Sequence, residues 1–516
     1  MIWHIAKKDF LDNFTSARFV IGFLLCLFLV PYTVYTGSRV YKTRMEQYHR
    51  DVKTADEVFS KAQVYGQIIP SVVIPPSPLS IFSKGISEQV GSKISLSNDM
   101  APTFADGITT MYENRFLNRF LSLDFINILA IILSLVGVFL SYDIFSREKE
   151  TGTLKLLLSH PVKRFDFFMG KVLGILITFV PLLLICYLLV FLILWINPNI
   201  DLSANDYLRI IVLFIFSLIY LTFFIFLGSY ISSKAKTSSS SLLINLFIWC
   251  ILVFLWPNSM NYLGKSLSKT ENYSVVKLNM SDIDSEFWKK YGELQEQAAK
   301  ETGIQGHSCN VCSGWNYGMI MMCFTPMEYM KLERRCHELV APVVLDYADK
   351  KWQLQKAYLD ELYKQQHVVK YLSCISPAEI LKYLSASLCK SDMETHVDYM
   401  NQARTYRQQF YDYYKKEAIY SSFNYFTPHK ESEIPANWEE AGRMYEEWQK
   451  KAKPGSTFDL STLGYVDING LPRFVYQNKG IINGLSDHFW LLTGIIVICL
   501  LFIWVTYRSF TRYDIR

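Results

Sequence analysis

Six cysteines, Cys309, Cys312, Cys323, Cys336, Cys374 and Cys389, share one polar stretch of the chain with His307 and His337. Such a set can pair into disulfides, remain as free thiols, or hold zinc through His307, Cys309, Cys312, Cys336 and His337. Disulfides are the preferred reading, because the stretch is expected on the oxidising side of a membrane, and six thiols leave fifteen connectivities open. Cys309 and Cys312 form a C-x-x-C pair, but Ser313 stands where covalent haem attachment needs histidine, and the strand and helix context of a thioredoxin-type site is missing. The other four cysteines, Cys26, Cys186, Cys250 and Cys499, lie in apolar runs and read as small buried residues. The nearest approach to a phosphate-binding loop is Gly264-Lys265-Ser266, with Ser259 in place of the first glycine. No nucleophile and base stand out. We therefore assign no metal, cofactor or nucleotide to the chain and do not read it as an enzyme.

The second chemically pointed stretch is residues 146–171, SREKETGTLKLLLSHPVKRFDFFMGK, compact and charged between two apolar runs. Thr151 or Thr153 is expected to cap a short helix, with Glu148 and Glu150 on the side favoured by the helix dipole and Pro161 as its stop. Leu154, Leu157 and Leu158 at i, i+3, i+4 give it an apolar face. A helix of that kind lies on a membrane surface or docks into a partner.

The elements that must position these residues are apolar. The chain of 516 residues is 51% hydrophobic and 19% charged, and its apolar residues gather in runs near the roughly 20 residues that cross about 30 Å of hydrocarbon. The fold class is all-α and polytopic: an amphipathic N-terminal helix (1–18) and spans at 19–35, 123–144, 172–195, 208–231, 242–256 and 489–507. Between them lie a first outer segment (36–122), the charged loop (145–171), an outer loop (196–207), an inner loop (232–241) and a large, mainly helical outer domain (257–488), with a tail at 508–516. The N-terminus is not read as a cleavable signal peptide. Lys7, Lys8, Arg18, Arg147, Lys149, Lys155, Lys163, Arg164, Lys171, Lys234, Lys236, Arg508, Arg512 and Arg516 all fall on one side, which the positive-inside rule makes the cytoplasm. Both termini and the charged loop are then internal. The mild net charge of +5 fits membrane topology and gives no reason to expect nucleic acid.

The order Glu148-x-Glu150-x-Gly152-Thr153-Leu154, then Leu157-Leu158, Pro161, Arg164 and Gly170-Lys171 at the head of a span, resembles the signature loop of ABC type-2 permeases. The resemblance implies a coupling loop resting in a groove of a separate ATPase subunit, with Arg147, Glu148, Glu150, Gly152, Thr153, Leu154, Leu157, Leu158, Pro161 and Arg164 as the coupling residues. It also implies a second permease subunit, identical or different, and residence in a bacterial cytoplasmic membrane. PPSPLSIFSKG and SPAEILKYLSASL are similar to segments of a bacterial branch with large extracytoplasmic insertions. The span interiors carry no ionisable residue, Asp124, Asp143 and Arg209 lying at span ends, so an ion-driven carrier is disfavoured and the energy must come from elsewhere. The resulting expectation is the membrane subunit of an ATP-driven exporter. The alternative is a membrane-anchored sensor or envelope-assembly protein with an outer ligand-binding domain.

In the outer domain, Ser281 with Asp284 and Ser391 with Glu394 read as helix-starting capping boxes, and Pro342 as a kink or split in a helix from Pro326 to Tyr371. Tyr399, Tyr406, Phe410, Tyr413 and Tyr414 form an aromatic stripe expected to be core. Pro257 is expected to end the fifth span. The prolines near residue 75 are expected to break all regular structure. The serines near 240 are expected to start a helix rather than to bond to neighbouring helices.

Overall fold

The computed structural model describes residues 1–86, 92–97, 103–104, 124–154, 163–198, 200–268, 270–304, 322–451, 464–477, 480 and 489–511. Its helices are α1 (Ile2–Phe14), α2 (Ala17–Ser60), α3 (residues 125–141), α4 (Ser146–Glu150), α5 (Arg164–Ile196), α6 (Ala204–Lys234), α7 (Ser238–Leu267), α8 (Tyr273–Thr302), α9 (Met327–Ser373), α10 (Pro377–Leu388), α11 (Met393–Lys416), α12 (Trp438–Lys451) and α13 (Phe489–Thr511). Six of them, α2, α3 with α4, α5, α6, α7 and α13, are long and apolar enough to cross a membrane.

Several helices outrun the apolar runs that announce them. Pro31 lies inside the 44-residue α2 without ending it. Pro257 does not end α7 either, contrary to expectation. A π-helical turn at Ile251–Leu255 precedes it, and the helix continues to Leu267. The wider turn makes room for a ring that has no N–H to give and would clash with the preceding turn. A second π-turn, Leu129–Leu133, interrupts α3. There the Ala130 carbonyl accepts from the Tyr220 hydroxyl (2.6 Å) and the Ser134 hydroxyl (2.6 Å), so an irregular turn is satisfied within a buried setting.

Two segments from between the spans close one end of the bundle. Leu79, Ile81 and Phe82 are buried in the same core as the spans, with Phe82 edge-on to Phe125 at 5.7 Å. Ala378, Ile380, Leu381, Leu384 and Leu388 of α10 are buried in that core as well. The Ser376 hydroxyl donates to the Leu252 carbonyl (2.6 Å), and Arg209 donates to the Leu388 carbonyl (2.8 Å). The Asp124 carboxylate joins the first segment to α3 by accepting from the Lys84 and Asn127 N–H groups (3.2 and 2.7 Å). These are the PLSIF and PAEIL stretches.

The prolines near residue 75 bracket a short strand rather than abolishing structure. β1 (Ser71–Val73), β2 (Lys93–Ser97) and β3 (Thr103–Phe104) form an antiparallel sheet in the order β1-β2-β3, pairing Val72 with Ile94. The sheet rests on α11, whose Tyr399 hydroxyl donates to the Val72 carbonyl (2.8 Å). Tyr399, Tyr406, Phe410 and Tyr414 of the aromatic stripe are fully buried, with Tyr413 partly buried beside them. Both expected capping boxes are displaced. Ser281 lies in mid-helix, because α8 begins eight residues earlier on the Asn272 cap, and α11 starts on Asp392, whose carboxylate accepts from the Thr395 N–H. Pro342 lies within the continuous α9 and does not split it.

The expected disulfides do not form among the four cysteines described. Cys323, Cys336, Cys374 and Cys389 are free thiols in different settings: Cys323 lies under α12, Cys336 between α8 and α9, and Cys374 and Cys389 border or enter the span core. His307, Cys309 and Cys312 lie outside the described residues. Among the described residues no three metal-ligating side chains converge, and His337 turns from Cys336 to pack on Tyr425 at 4.3 Å.

Burial pushes the pKa of His337 down to about 3 and that of His396 to about 4, from an ordinary 6.5. The unfolded chain therefore binds these protons more readily than the folded one. Their contribution to stability is complete above about pH 6.5 and is lost as pH falls toward the folded-state values. Hydrogen exchange across α9 and α11 should show protection falling between about pH 7 and about pH 5, with a shallower slope in His337→Gln. An identical slope in the variant would remove this role from His337.

Candidate functional site

The charged loop begins where α3 loses its regular ladder at Tyr142. The N-terminus of α4 is capped from another helix: the Phe145 and Ser146 N–H groups both donate to the Ser232 hydroxyl of α6 (2.9 and 3.0 Å). Thr151 and Thr153 both follow α4; the apolar-faced helix that one of them is expected to cap falls on residues 155–162, which lie outside the described residues. Thr151 follows α4, its hydroxyl donating to the Arg147 carbonyl (2.9 Å). Gly152, at φ +73°, reverses the chain in a backbone region that L side chains resist. Thr153 and Leu154 then start the next helical turn, with the Thr153 hydroxyl donating back to the Glu148 carboxylate.

A mostly buried cation holds the loop. Lys171 of α5 lies 2.9 Å from Glu148 and 3.0 Å from Asp9 of α1, so one ammonium serves two carboxylates. Helix α1 reaches that position because Gly170 and Gly174 offer it no side chains. A Cβ on Gly170 would stand 2.8 Å from the Ile5 Cβ, and one on Gly174 would stand 2.7 Å from the Asp9 Cβ. The small-x-x-x-small spacing is the usual device for bringing helix backbones together. Burial holds the Asp9 carboxyl above its ordinary pKa against the opposing pull of Lys171. The far side of α1 exposes Met1, Trp3, Leu11 and Phe14, an apolar edge suited to a lipid surface.

Further bonds join the loop to the remaining spans. The Lys149 ammonium donates to the Ser232, Ser233 and Ala235 carbonyls at the C-terminus of α6, and the Glu150 carboxylate accepts from the Ser238 N–H (3.0 Å) at the N-terminus of α7. Each charge meets the helix end whose dipole favours it. The Ser241 hydroxyl of α7 donates to the Tyr142 carbonyl (2.5 Å). Arg18 of α2 pairs with Asp143 at 2.8 Å and covers the Tyr142 ring. Phe145 packs against Phe510 of α13 at 4.9 Å, and Arg164 donates to the Thr511 carbonyl. The serines near 240 thus both start α7 and bond to neighbours. The stretch 142–154 touches all five of the other spans.

The structure divides the expected coupling residues into two groups. Arg147, Glu150, Gly152 and Thr153 are exposed at the tip together with Thr151. Glu148 and Arg164 are half-buried and turned into the bundle, and Leu154 is only 1% exposed, set in the span core rather than offered to a partner. Leu157, Leu158 and Pro161 lie outside the described residues. Asp9, Ser232 and Ser241 were not singled out from the sequence. The available signal was the Gly170/Gly174 spacing, which marks a helix-docking face at the head of α5. Gly264-Lys265-Ser266 lies within helix α7, packed on Val369, and so lacks the loop that would cradle a phosphate. The arrangement suits transmission of force: a small exposed tip on a root bonded to every span.

A family model described as ABC-2 family transporter protein matches residues 3–515. No curated protein matches the chain.

Removing Lys171 would leave Asp9 and Glu148 buried without their cation. Lys171→Met should therefore destabilise this end of the bundle by about 3–5 kcal/mol, whereas Asp9→Asn, which keeps the Glu148 pair, should cause much less loss. Thermal unfolding of the purified protein, with proteolysis of α1 as a local readout, measures both; equal losses would contradict the shared-cation account.

Proposed function

The chain belongs to the ABC-2 family of transporter proteins, and from that premise we propose that it is the permease subunit of an ATP-driven exporter whose motor is a separate ATPase. The exposed tip, Arg147 with Glu150 to Thr153, enters a groove of that ATPase. Closure of the ATPase on ATP pushes the tip, and the bonds around Phe145, Lys149 and Lys171 carry the displacement into the bundle. A second permease subunit completes the path. The single observation that carries this reading is the set of bonds from residues 142–154 to the other five spans.

The orientation proposed puts the loop and both termini in the cytoplasm of a bacterial cell. Lys7, Lys8, Arg18, Arg147, Lys149, Lys234 and Arg508 lie on α1, the loop and the adjoining helix ends, elements joined to one another by the bonds above, and a cluster of that sign favours the cytoplasmic face. The PLSIF and PAEIL segments then seal the outer end, and the path opens when they part from the spans. Without intramembrane carboxylates the bundle has no ion route of its own, so displacement of the tip is the energy input.

Arg147→Glu alters the tip without touching the root. The purified variant should keep its thermal stability and lose at least about tenfold in affinity for the co-purifying ATPase, about 1.4 kcal/mol. Gly152→Val strains a left-handed residue by about 1–2 kcal/mol and should uncouple ATP hydrolysis from transport in proteoliposomes. Normal transport by both variants would refute the docking role.

A further inference from the structure

The exposed side of α2 changes character along one line. Ile21, Leu25 and Phe28, then Tyr32 and Tyr35, then Arg39 and Lys42 recur at alternating steps of four and three, so they share one stripe, and all are exposed. The opposite side of the helix carries Cys26, Val30, Val34 and Tyr41 into the span core. Apolar, aromatic and cationic residues thus follow one another in the order of hydrocarbon, interface and headgroup.

The neighbouring span sets the level. α2 and α5 both begin at the end that carries the charged loop, held there through Arg18 and Lys171, and they pack against each other with Cys26 and Cys186 side by side. Tyr35 and Trp195 each lie nine residues, about 14 Å, beyond that contact, so the two exposed rings stand at one height. Below Trp195 the surface of α5 opens a groove of about 310 Å³ lined by Ile185, Leu188 and Leu192, an apolar channel of the kind an alkyl chain fills. Arg39 stands one turn, about 6 Å, past Tyr35, at the height of the lipid phosphates.

The two cations are open to a ligand. Among the described residues neither Arg39 nor Lys42 is ion-paired, and the Arg39 guanidinium lies over the Tyr35 ring at 5.8 Å. Asp201 and Asp206 act on Tyr41, on the buried side of the helix, and Glu46 lies a turn beyond Lys42, farther from the apolar stretch. Two cations one turn apart favour a headgroup of net negative charge over one that brings its own ammonium.

We propose that this stripe binds an anionic glycerophospholipid, with the phosphate on Arg39 and Lys42, the glycerol level with Tyr32, Tyr35 and Trp195, and one acyl chain in the α5 groove. The leaflet is the one opposite the charged loop, whichever way the protein faces. A lipid held here ties α2 to that leaflet at the point where the helix leaves it.

The test uses the full-length protein with the photoreactive residue p-benzoylphenylalanine in place of Tyr32, in vesicles of equal phosphatidylglycerol and phosphatidylcholine with matched acyl chains. On illumination, adducts with phosphatidylglycerol should exceed those with phosphatidylcholine by at least about fivefold, about 1 kcal/mol. Arg39→Gln together with Lys42→Gln should bring that ratio near unity without lowering the melting temperature, whereas Lys7→Gln with Lys8→Gln, at the other end of the bundle, should leave it unchanged. Leu188→Trp, which fills the groove, should lower the adduct yield at least about threefold. Equal adducts of the two lipids, a ratio untouched by the Arg39 and Lys42 changes, or an adduct with a second copy of the chain in place of lipid overturns the proposal. None of these results depends on whether an ATPase binds the charged loop.

Discussion

One ammonium group governs the end of this molecule that carries the charged loop. Lys171 stands between carboxylates on two other elements in a setting with little water, where a charge left alone costs several kcal/mol. Neither carboxylate can withdraw far without losing its cation, so α1, the charged loop and the head of α5 move as one body. The two glycines beside Lys171 are a condition for this, because any side chain there would hold α1 away. The other bonds of the loop, Ser232 to the start of α4 and Lys149 to the end of α6, extend the same body into the bundle.

The six spans are legible in the sequence because hydrocarbon demands long apolar runs, and local composition records that demand. Their ends are less so. Pro257 reads as a stop, and only the π-turn before it, a matter of backbone geometry, lets α7 continue. The charged loop is legible as a motif, but not the direction of its side chains. Glu148 and Glu150 look alike in sequence, yet one is consumed by Lys171 and the other caps α7 from an exposed position. Leu154 fits an apolar docking face and is in fact an anchor. Asp9 shows no sign of its role, since its partner is 162 positions away. The cysteines give the same lesson: six thiols in one stretch suggest pairing, but distance decides, and the four described lie apart.

At the opposite end, two segments far apart in sequence share one task. The PLSIF stretch and α10 both insert apolar side chains among the span ends opposite the charged loop, and Asp124 and Arg209 fasten them by main-chain bonds. These two charged residues looked like span-end markers. They serve as pins between the bundle and what covers it, so these insertions belong to the transmembrane fold and are not merely appended to it.

The length of α2 carries a mechanical consequence. Its 44 residues make one rod of about 66 Å, roughly twice the hydrocarbon thickness, gripped at its N-terminal end through Arg18 and Asp143. Phe59, near its far end, is embedded among Ala341, Phe410 and Tyr414. A tilt of about 10° pivoting at that grip would sweep the far end through about 11 Å. The helices around Phe59 are thus geared to the charged loop by a single continuous helix, and whatever sits among them would be displaced by a movement of that loop.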